Sequence, residues 1–457
     1  MVDIDLYRLV NNKYCILRYS RTIALKISAT YQLLDFEYQP FMSLFSQALE
    51  IFDRAIIGCY YRNNAKLVEG IAGALNQHNK PIGVIISSNQ LLNRLKVPII
   101  SFSLFDMSHL FEPPIGTYLE PEEEEENYSK KVPIDKIWNE RLESIECGVT
   151  LPLDISHIPR ASTQSICSFS LISYGFEIQD SIIKYLQLCN RLCKVKFSMV
   201  SDSDILSILL FINTSQTLKT VSVGFNAEDA TLSPILLNSN ITKLVIFDHK
   251  YSHTLETSSI LTQYTQQFKS QQPSEMINRS LRKLVINERN ELQTDLDKYT
   301  IMLNPTKYLV NLQHLEIPML AGTHQNQWIK TLGSSQLSLF SLKLTAPITI
   351  ENATTDLLFN QLFNIDNNNN NKNRQRSLTI NETICSSISD IEHFMKLLQS
   401  NNHSIDTISI EVKDDMEKPS LVNMLWQQSS QYIHSKTKNV EFINLSTTYH
   451  FSKINRH

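Results

Sequence analysis

The sequence predicts an α/β fold of the solenoid class, a horseshoe with short parallel strands on its concave face and helices on its convex face. The first observation behind this prediction is a recurring phrase, Leu-x-x-Leu-x-Ile, in which other apolar residues also fill the three fixed positions. Self-similarity at a period of roughly 20 to 50 residues is typical of proteins built from stacked repeats. Clear copies begin at Leu281, Leu312 and Leu339, and looser copies begin at Leu142, Ile166, Leu192, Leu218, Ile241, Ile405 and Val440. A further copy begins at Gln375 and lacks the first apolar residue.

The second observation is that segments with a helical pattern of apolar residues separate the phrases. One of them begins at Ser201, a residue type that caps helix N-termini, and continues through the apolar residues of Ile205–Phe211. Neither a short strand nor a single helix buries its apolar face alone, so neighbouring units must stack to form a core. Further helices are predicted over Gln179–Asn190, Leu255–Ser270, Thr355–Phe363, Ser386–Asn401 and Ser420–His434.

The array is predicted to begin before the phrases themselves. Residues 55–59, 81–86 and 99–104 have the apolar character of buried strands, and residues 64–79 have a helical pattern between the first two. We therefore predict that residues 55–119 form early repeats.

Residues 1–54 have a different pattern, which predicts helices over Tyr7–Ser20 and Leu33–Phe52. We expect them to form an N-terminal helical cap or a small attached module.

Two low-complexity segments interrupt the predicted array. Residues 120–132 form an acidic loop that contains five consecutive glutamates, and the array of residues 133–457 is broken by an asparagine-rich loop at 366–374. Asparagine tracts of this kind are typical of proteins from social amoebae.

The phrases over roughly Leu142–Leu445 resemble leucine-rich repeats of the long, helical, ribonuclease-inhibitor-like kind. The resemblance implies a protein-binding solenoid. The chain departs from the family pattern beyond the last apolar residue of the strand, where the family has Asn or Cys: only the Leu218 copy has an asparagine there, Asn226. An ordinary α/β sheet is the alternative, because buried parallel strands also read as short apolar runs.

Bulk composition bounds the class of partner and the location. Hydrophobic residues make up 42% of the chain and charged residues 19%, as in folded proteins. The net charge of −4 gives no bulk electrostatic reason to expect nucleic acid or an anionic membrane. Met1–Val10 lacks the basic start and apolar core of a signal peptide. The seven cysteines are typical of reduced, core-filling thiols, so we expect a cytoplasmic protein.

The motifs of catalysis are missing from the sequence. It contains no P-loop, no G-x-S-x-G, no H-E-x-x-H and no C-x-x-C, and its ten glycines count against phosphate-binding loops. Cys189 and Cys193 have a spacing that two metal ligands on a helix could use, but both lie where core residues are expected. We therefore predict no enzyme activity, no cofactor and no metal site.

The strand phrases predict a binding surface. Successive side chains of a strand alternate between faces, so the third and fifth positions of each phrase point to the open concave side. Basic residues there would form a column suited to an acidic segment of a protein partner, although the alternative is that they are merely solvated. Phe, Tyr and Trp are absent from these third and fifth positions, which counts against binding of single-stranded nucleic acid. The candidate partner-binding residues are Lys194, Lys196, Lys243, Lys283, His314 and Lys343.

Two functions follow as expectations. The first is a non-enzymatic interaction scaffold that holds a protein partner on the concave face. The alternative is an F-box-like substrate receptor of a cullin-type ubiquitin ligase, because many intracellular leucine-rich arrays carry an N-terminal F-box that binds a ligase adaptor. An F-box has Leu-Pro near its start and Trp near its end, and residues 1–50 contain neither.

Overall fold

A computed structural model describes part of the chain, and the chain divides into two compact units, Met1–Phe211 (unit 1) and Ile212–His457 (unit 2). The residues described are 11–12, 22–27, 35–59, 65–86, 90–104, 138–148, 160–172, 180–198, 202–224, 238–247, 279–287, 311–317, 340–344, 349–350, 352–363, 376–381, 384–385, 388–399, 405–413, 432–440 and 445–453.

Unit 1 contains a parallel sheet in which each strand pairs with the next one along the chain. Its strands are β1 (Thr22–Ile27), β2 (Arg54–Cys59), β3 (Ile82–Ile86), β4 (Ile99–Leu104), β5 (Ser144–Gly148), β6 (Ser168–Ile172) and β7 (Lys194–Ser198). Its helices are α1 (Asp35–Ile51), α2 (Ala65–His78), α3 (Gln90–Arg94), a 3₁₀ turn (Arg160–Gln164) and α4 (Asp180–Leu188). The division between the units falls within α5 (Asp202–Thr214).

Unit 2 also contains parallel strands in succession. They are β8 (Thr220–Gly224), β9 (Lys243–Phe247), β10 (Lys283–Asn287), β11 (His314–Ile317), β12 (Ser341–Leu344), β14 (Arg376–Asn381) and β16 (Ile405–Lys413). A separate parallel pair is formed by β13 (Thr349–Ile350) and β15 (Ile384–Cys385). The helices are α6 (Asn352–Leu357), a π-helical segment (Leu358–Phe363) and α7 (Ile388–Gln399).

The C-terminal end of the sheet in unit 2 is antiparallel. Strand β18 (Leu445–Lys453) pairs antiparallel with both β16 and β17 (Tyr432–Val440). The predicted repeat at Val440 is therefore wrong, since β17 ends there, and the predicted helix Ser420–His434 is wrong from Tyr432 onward. Four residues connect the two strands, which suits a hairpin, whereas parallel strands need a crossover of a dozen residues or more.

The apolar residues of the phrases form the core of each unit. In unit 2 the strand register aligns the fourth-position residues in one row, and each of them is at most 2% exposed. Burying each such side chain stabilises the fold by roughly 1.5–3 kcal/mol. The row consists of Val221, Leu244, Leu284, Leu315, Leu342, Leu378 and Ile408.

A repeated hydrogen-bond arrangement marks the start of successive strands. The carbonyl oxygen of the second-position residue accepts N–H groups from both the second and the third residue of the next phrase, at distances between 2.7 and 3.1 Å. This double acceptor fixes each strand against its predecessor. The residues whose carbonyls do this are Glu143 and Cys167 in unit 1 and Lys219, Thr242, Arg282 and Gln313 in unit 2.

Asparagine side chains hold the turn that precedes some strands. The Asn238 side chain is 4% exposed, and its Nδ2 donates to the carbonyls of Ile212, at 2.6 Å, and Ser215, at 2.8 Å. Its Oδ1 accepts the Asn240 N–H at 2.9 Å. Asn139 makes the same kind of bonds three residues before its own phrase. Each of these amides joins a turn to the preceding strand or helix of the same unit, just before the strand begins.

Most predicted elements coincide with observed ones. The phrases from Leu142 to Ile405 each lead into a strand, and α1, α2, α4, α5 and α7 match predicted helices. The prediction missed α3, the 3₁₀ turn, β1 and the short strands β13 and β15. Strand β1 lies within residues 1–54, for which only helices were predicted, because a six-residue strand without the full phrase gives little signal.

Several predictions fall outside the described residues. They are the acidic loop 120–132, the asparagine-rich loop 366–374, the helix Leu255–Ser270, Asn226, and the helix Tyr7–Ser20 apart from residues 11–12.

We expect Leu284→Asp to unfold unit 2, because Leu284 is fully buried and an unpaired buried charge costs about 3 kcal/mol or more. Thermal melting followed by circular dichroism would measure the loss. Arg282→Asp is the matched control, since it places the same carboxylate two residues away at an exposed position. A Leu284→Asp protein that melts cooperatively at the original temperature would contradict the assignment of the core row.

We expect Asn238→Ala to lower the free energy of unfolding by about 1–3 kcal/mol, because two carbonyls lose their donor. Asn240→Ala is the control: it keeps the backbone N–H that bonds Asn238 and removes only a long side-chain contact to Gln216. Its effect is expected within about 0.5 kcal/mol. Urea unfolding of both variants checks this, and equal losses would show that the Asn238 amide has no special part.

Candidate binding surface

The observed register places the third- and fifth-position residues of unit 2 in rows, and two members of the fifth-position row, Ser222 and Val285, are buried. Third-position residues are register partners of third-position residues on the next strand, and fifth-position residues behave likewise. The third-position row is Thr220, Lys243, Lys283, His314, Ser341, Ser377 and Thr407. The fifth-position row is Ser222, Val245, Val285, Glu316, Lys343, Thr379 and Ser409.

Three basic residues follow one another in the third-position row of unit 2. Lys243 is the register partner of Lys283, and Lys283 is the register partner of His314. Neighbouring strands lie about 4.8 Å apart, so the three side chains project from adjacent points of one sheet face. Each is partly exposed. The arrangement concentrates positive charge on β9 and β10.

The sequence reading missed two further cations beside this row. Lys219 and Arg282 occupy the second position of their phrases, and both are exposed. With Lys243 and Lys283 they make up the basic patch, a group of four cationic residues at the second and third positions of β8 to β10, in which the Arg282 guanidinium also donates to the Asn311 carbonyl at 3.4 Å. The second, third and fifth positions of β8, β9 and β10 include no acidic residue. A search of second positions for charge would have found these residues, but strand alternation alone gave no reason to include them.

His314 lies at the border of the basic patch, and its surroundings disfavour the charged imidazolium. Burial lowers the pKa of His314 below its usual value of 6.5, and the positive charge of Lys283 lowers that pKa further. Its ring packs edge-on against the ring of Phe340, with centroids 5.7 Å apart. Phe340 is 37% exposed, so this aromatic pair faces solvent on one side.

Lys343 contributes less positive charge than its sequence position suggests. Its Nζ lies 3.0 Å from Oε1 of Glu316, the fifth-position residue of the neighbouring strand, whose side chain is 17% exposed. The pair compensates the charge of Lys343. The basic character of the surface in unit 2 is therefore strongest on β8 to β10 and falls away at β11.

The predicted residues of unit 1 have a mixed environment. Lys194 is exposed, while Nζ of Lys196 lies 3.7 Å from Oε1 of Glu146. The Glu146 carboxylate also accepts hydrogen bonds from the hydroxyls of Ser103 and Ser170, both at 3.3 Å. These four fifth-position residues span adjacent strands β4 to β7. Glu146 was not among the predicted residues, and it makes this row a polar network.

The basic patch offers ammonium and guanidinium donors, which bind carboxylates and phosphates. Among the described residues, no group of three or more His, Cys, Asp or Glu side chains is placed to hold a metal ion. No helix in the described ranges has both the length and the apolar character that crossing a bilayer requires.

The fold defines an α/β protein with a parallel sheet in each unit. No protein-family model matches the chain, and no curated protein is significantly similar to it.

We expect stability to rise with pH in the range where His314 titrates. The unfolded chain protonates this residue at a pKa near 6.5 and the folded chain only at a lower pH. The unfolded state therefore binds more protons between the two values, and the free energy of unfolding falls as pH decreases through this window. Urea unfolding at several pH values would measure the slope. His314→Gln should reduce it, and an identical slope in the variant would contradict the assignment.

Proposed function

We propose that the protein is a non-enzymatic interaction scaffold, a leucine-rich-repeat-like solenoid that binds an acidic segment of a protein partner. The observation that carries the proposal is the register of Lys243 and Lys283 on the adjacent strands β9 and β10. Lys219 and Arg282 extend the same charge at the start of their strands.

The repeat interpretation is supported by agreement between sequence and backbone. The same phrase leads into strand after strand, and the same carbonyl position accepts two N–H groups at successive steps. Each repeat then consists of one strand and the segment that follows it, and a solenoid is built by stacking such repeats. In such arrays the partner commonly occupies the face that carries the strands, here the face that we predict to be concave.

Charge favours an acidic partner over a neutral one. Like charges directly opposite on adjacent strands repel each other, so Lys243 and Lys283 gain most from an anion placed between them. The second, third and fifth positions of β8 to β10 carry no acidic residue. A run of carboxylates in extended conformation could follow the row from strand to strand.

A protein segment is favoured over single-stranded nucleic acid by the other side chains of the surface. Bases are usually held by stacking on several aromatic rings. Phe340 and His314 form one such pair, but the positions that surround the basic patch carry Thr, Ser and Val.

The alternative, an F-box-like receptor that binds a ubiquitin-ligase adaptor, remains a prediction. No observation favours it, and β1 occupies part of the N-terminal window in which a helical module would have to lie.

We expect Lys243→Glu combined with Lys283→Glu to weaken binding of a fluorescent poly-glutamate peptide at least about tenfold, or about 1.4 kcal/mol. Two attractive charges become repulsive, while both side chains are partly exposed and the fold should be retained. Fluorescence anisotropy at low salt, where screening is weakest, measures the affinity, and thermal melting checks the fold.

The matched control is Lys194→Glu combined with Lys196→Glu, which makes the same charge change in unit 1 outside the basic patch. We expect this control to change the affinity less than about twofold, because Lys196 is already paired with Glu146. Equal losses in the two double variants would reduce the effect to net charge. Unchanged binding by the patch variant, or tighter binding of a single-stranded oligonucleotide than of the peptide, would refute the proposal.

A further inference from the structure

Two cysteines occupy equivalent positions at the start of adjacent strands in unit 1. Cys167 and Cys193 are the second-position residues that directly precede β6 and β7. The backbone N–H of Cys193 donates to the carbonyl of Cys167 at 2.9 Å, and the Cys193 thiol donates to the same carbonyl at 3.3 Å. The structure therefore holds one thiol directly over the backbone of the other cysteine.

The spacing of these residues suits a disulfide. Ser168 and Lys194, the residues that follow the two cysteines, are register partners on β6 and β7. Neighbouring strands lie about 4.8 Å apart, and disulfides join Cα atoms roughly 4.4–6.8 Å apart. The Cys167 thiol now donates to the carbonyl of Ser165, at 3.4 Å. Rotation of the two side chains, with little movement of the backbone, would bring the sulfurs together.

Exposure separates this pair from the other cysteines of unit 1 whose surroundings are described. Cys193 is exposed and Cys167 is partly exposed, whereas Cys147 and Cys189 are buried. Burial raises the pKa of the Cys147 thiol to about 12, and it raises the pKa of the Cys189 thiol to about 12 as well. Thiols of that kind react poorly because the thiolate is the nucleophile.

We propose that Cys167 and Cys193 form a dithiol site that a peroxide oxidises to a disulfide joining the starts of β6 and β7. The Cys193 thiolate attacks one peroxide oxygen, the O–O bond breaks, and the second oxygen leaves and is protonated to water. Cys193 is then a sulfenic acid. The Cys167 sulfur attacks the Cys193 sulfur, the S–S bond forms, the S–O bond breaks, and the departing hydroxide takes the Cys167 proton to give a second water.

This pairing differs from the one that sequence spacing suggests. Cys189 and Cys193 are four residues apart, but the structure buries Cys189 beside Tyr185, to whose carbonyl its thiol donates at 3.4 Å. Cys167, which is 26 residues before Cys193, is the neighbour across the strands. A bond between them would close that 26-residue segment and restrict the unfolded chain, which stabilises the folded one.

The experiment uses the full chain, treated with hydrogen peroxide, then unfolded in urea and blocked with N-ethylmaleimide without reduction so that buried thiols are alkylated too, and digested with trypsin. Cleavage after Arg160, Lys184, Arg191 and Lys194 places Cys167, Cys189 and Cys193 on separate peptides. We expect mass spectrometry to find peptide 161–184 joined to peptide 192–194, with a mass two hydrogens below their sum. Reduction should release both peptides, and the peptide carrying Cys189 should stay alkylated. The oxidised chain should also melt at a higher temperature than the reduced chain.

Cys167→Ser and Cys193→Ser are the matched variants, and both replace thiols that are at least partly exposed. In Cys167→Ser we expect Cys193 to persist as a sulfenic acid that dimedone traps, and in both variants the rise in melting temperature should vanish. The proposal is overturned if both cysteines remain thiols after peroxide treatment and are alkylated by N-ethylmaleimide. It is also overturned if peroxide converts them separately to sulfinic acids or joins Cys193 to any other cysteine.

Discussion

The parallel register depends on one hydrogen-bonding group, the peptide carbonyl at the second position of each phrase. Where it accepts N–H groups from two consecutive residues of the next phrase, the following strand has one permitted alignment. A slip by one residue would turn every side chain of that strand to the opposite face, and would place residues such as Leu284 in water. The buried row and the surface rows are therefore two consequences of the same backbone contact.

A fixed register turns residues that are distant in sequence into neighbours. At the second position it brings Cys167 beside Cys193 in unit 1, and in unit 2 it places Lys219 and Arg282 at the starts of β8 and β10, on either side of β9. The chemistry of the surface thus changes along the sheets while the backbone geometry repeats. Because the backbone geometry does not depend on these side chains, substitutions at one position of two adjacent strands can place two new functional groups side by side.

The strands and the third- and fifth-position rows were predictable because both depend on the short-range alternation of apolar and polar residues, and the repeated phrase contains that alternation. The end of the sheet was not, because β17 and β18 have the same local composition whether they pair in parallel or antiparallel. Charge compensation was also hidden from the sequence. The Glu316 to Lys343 contact requires both the register and the side-chain conformations. The two hydrogen bonds that the Glu146 carboxylate accepts from Ser103 and Ser170 join residues on three strands.

The electrostatics of unit 2 explain why the charge stops where it does. Placing Lys283 opposite Lys243 already costs stability, since like charges on adjacent strands repel. A third cation on β11 would add to that cost, and the fold avoids it by burying His314 enough to lower its pKa and by pairing Lys343 with Glu316. An anion placed between Lys243 and Lys283 would relieve this repulsion, which is the electrostatic basis of the proposed binding.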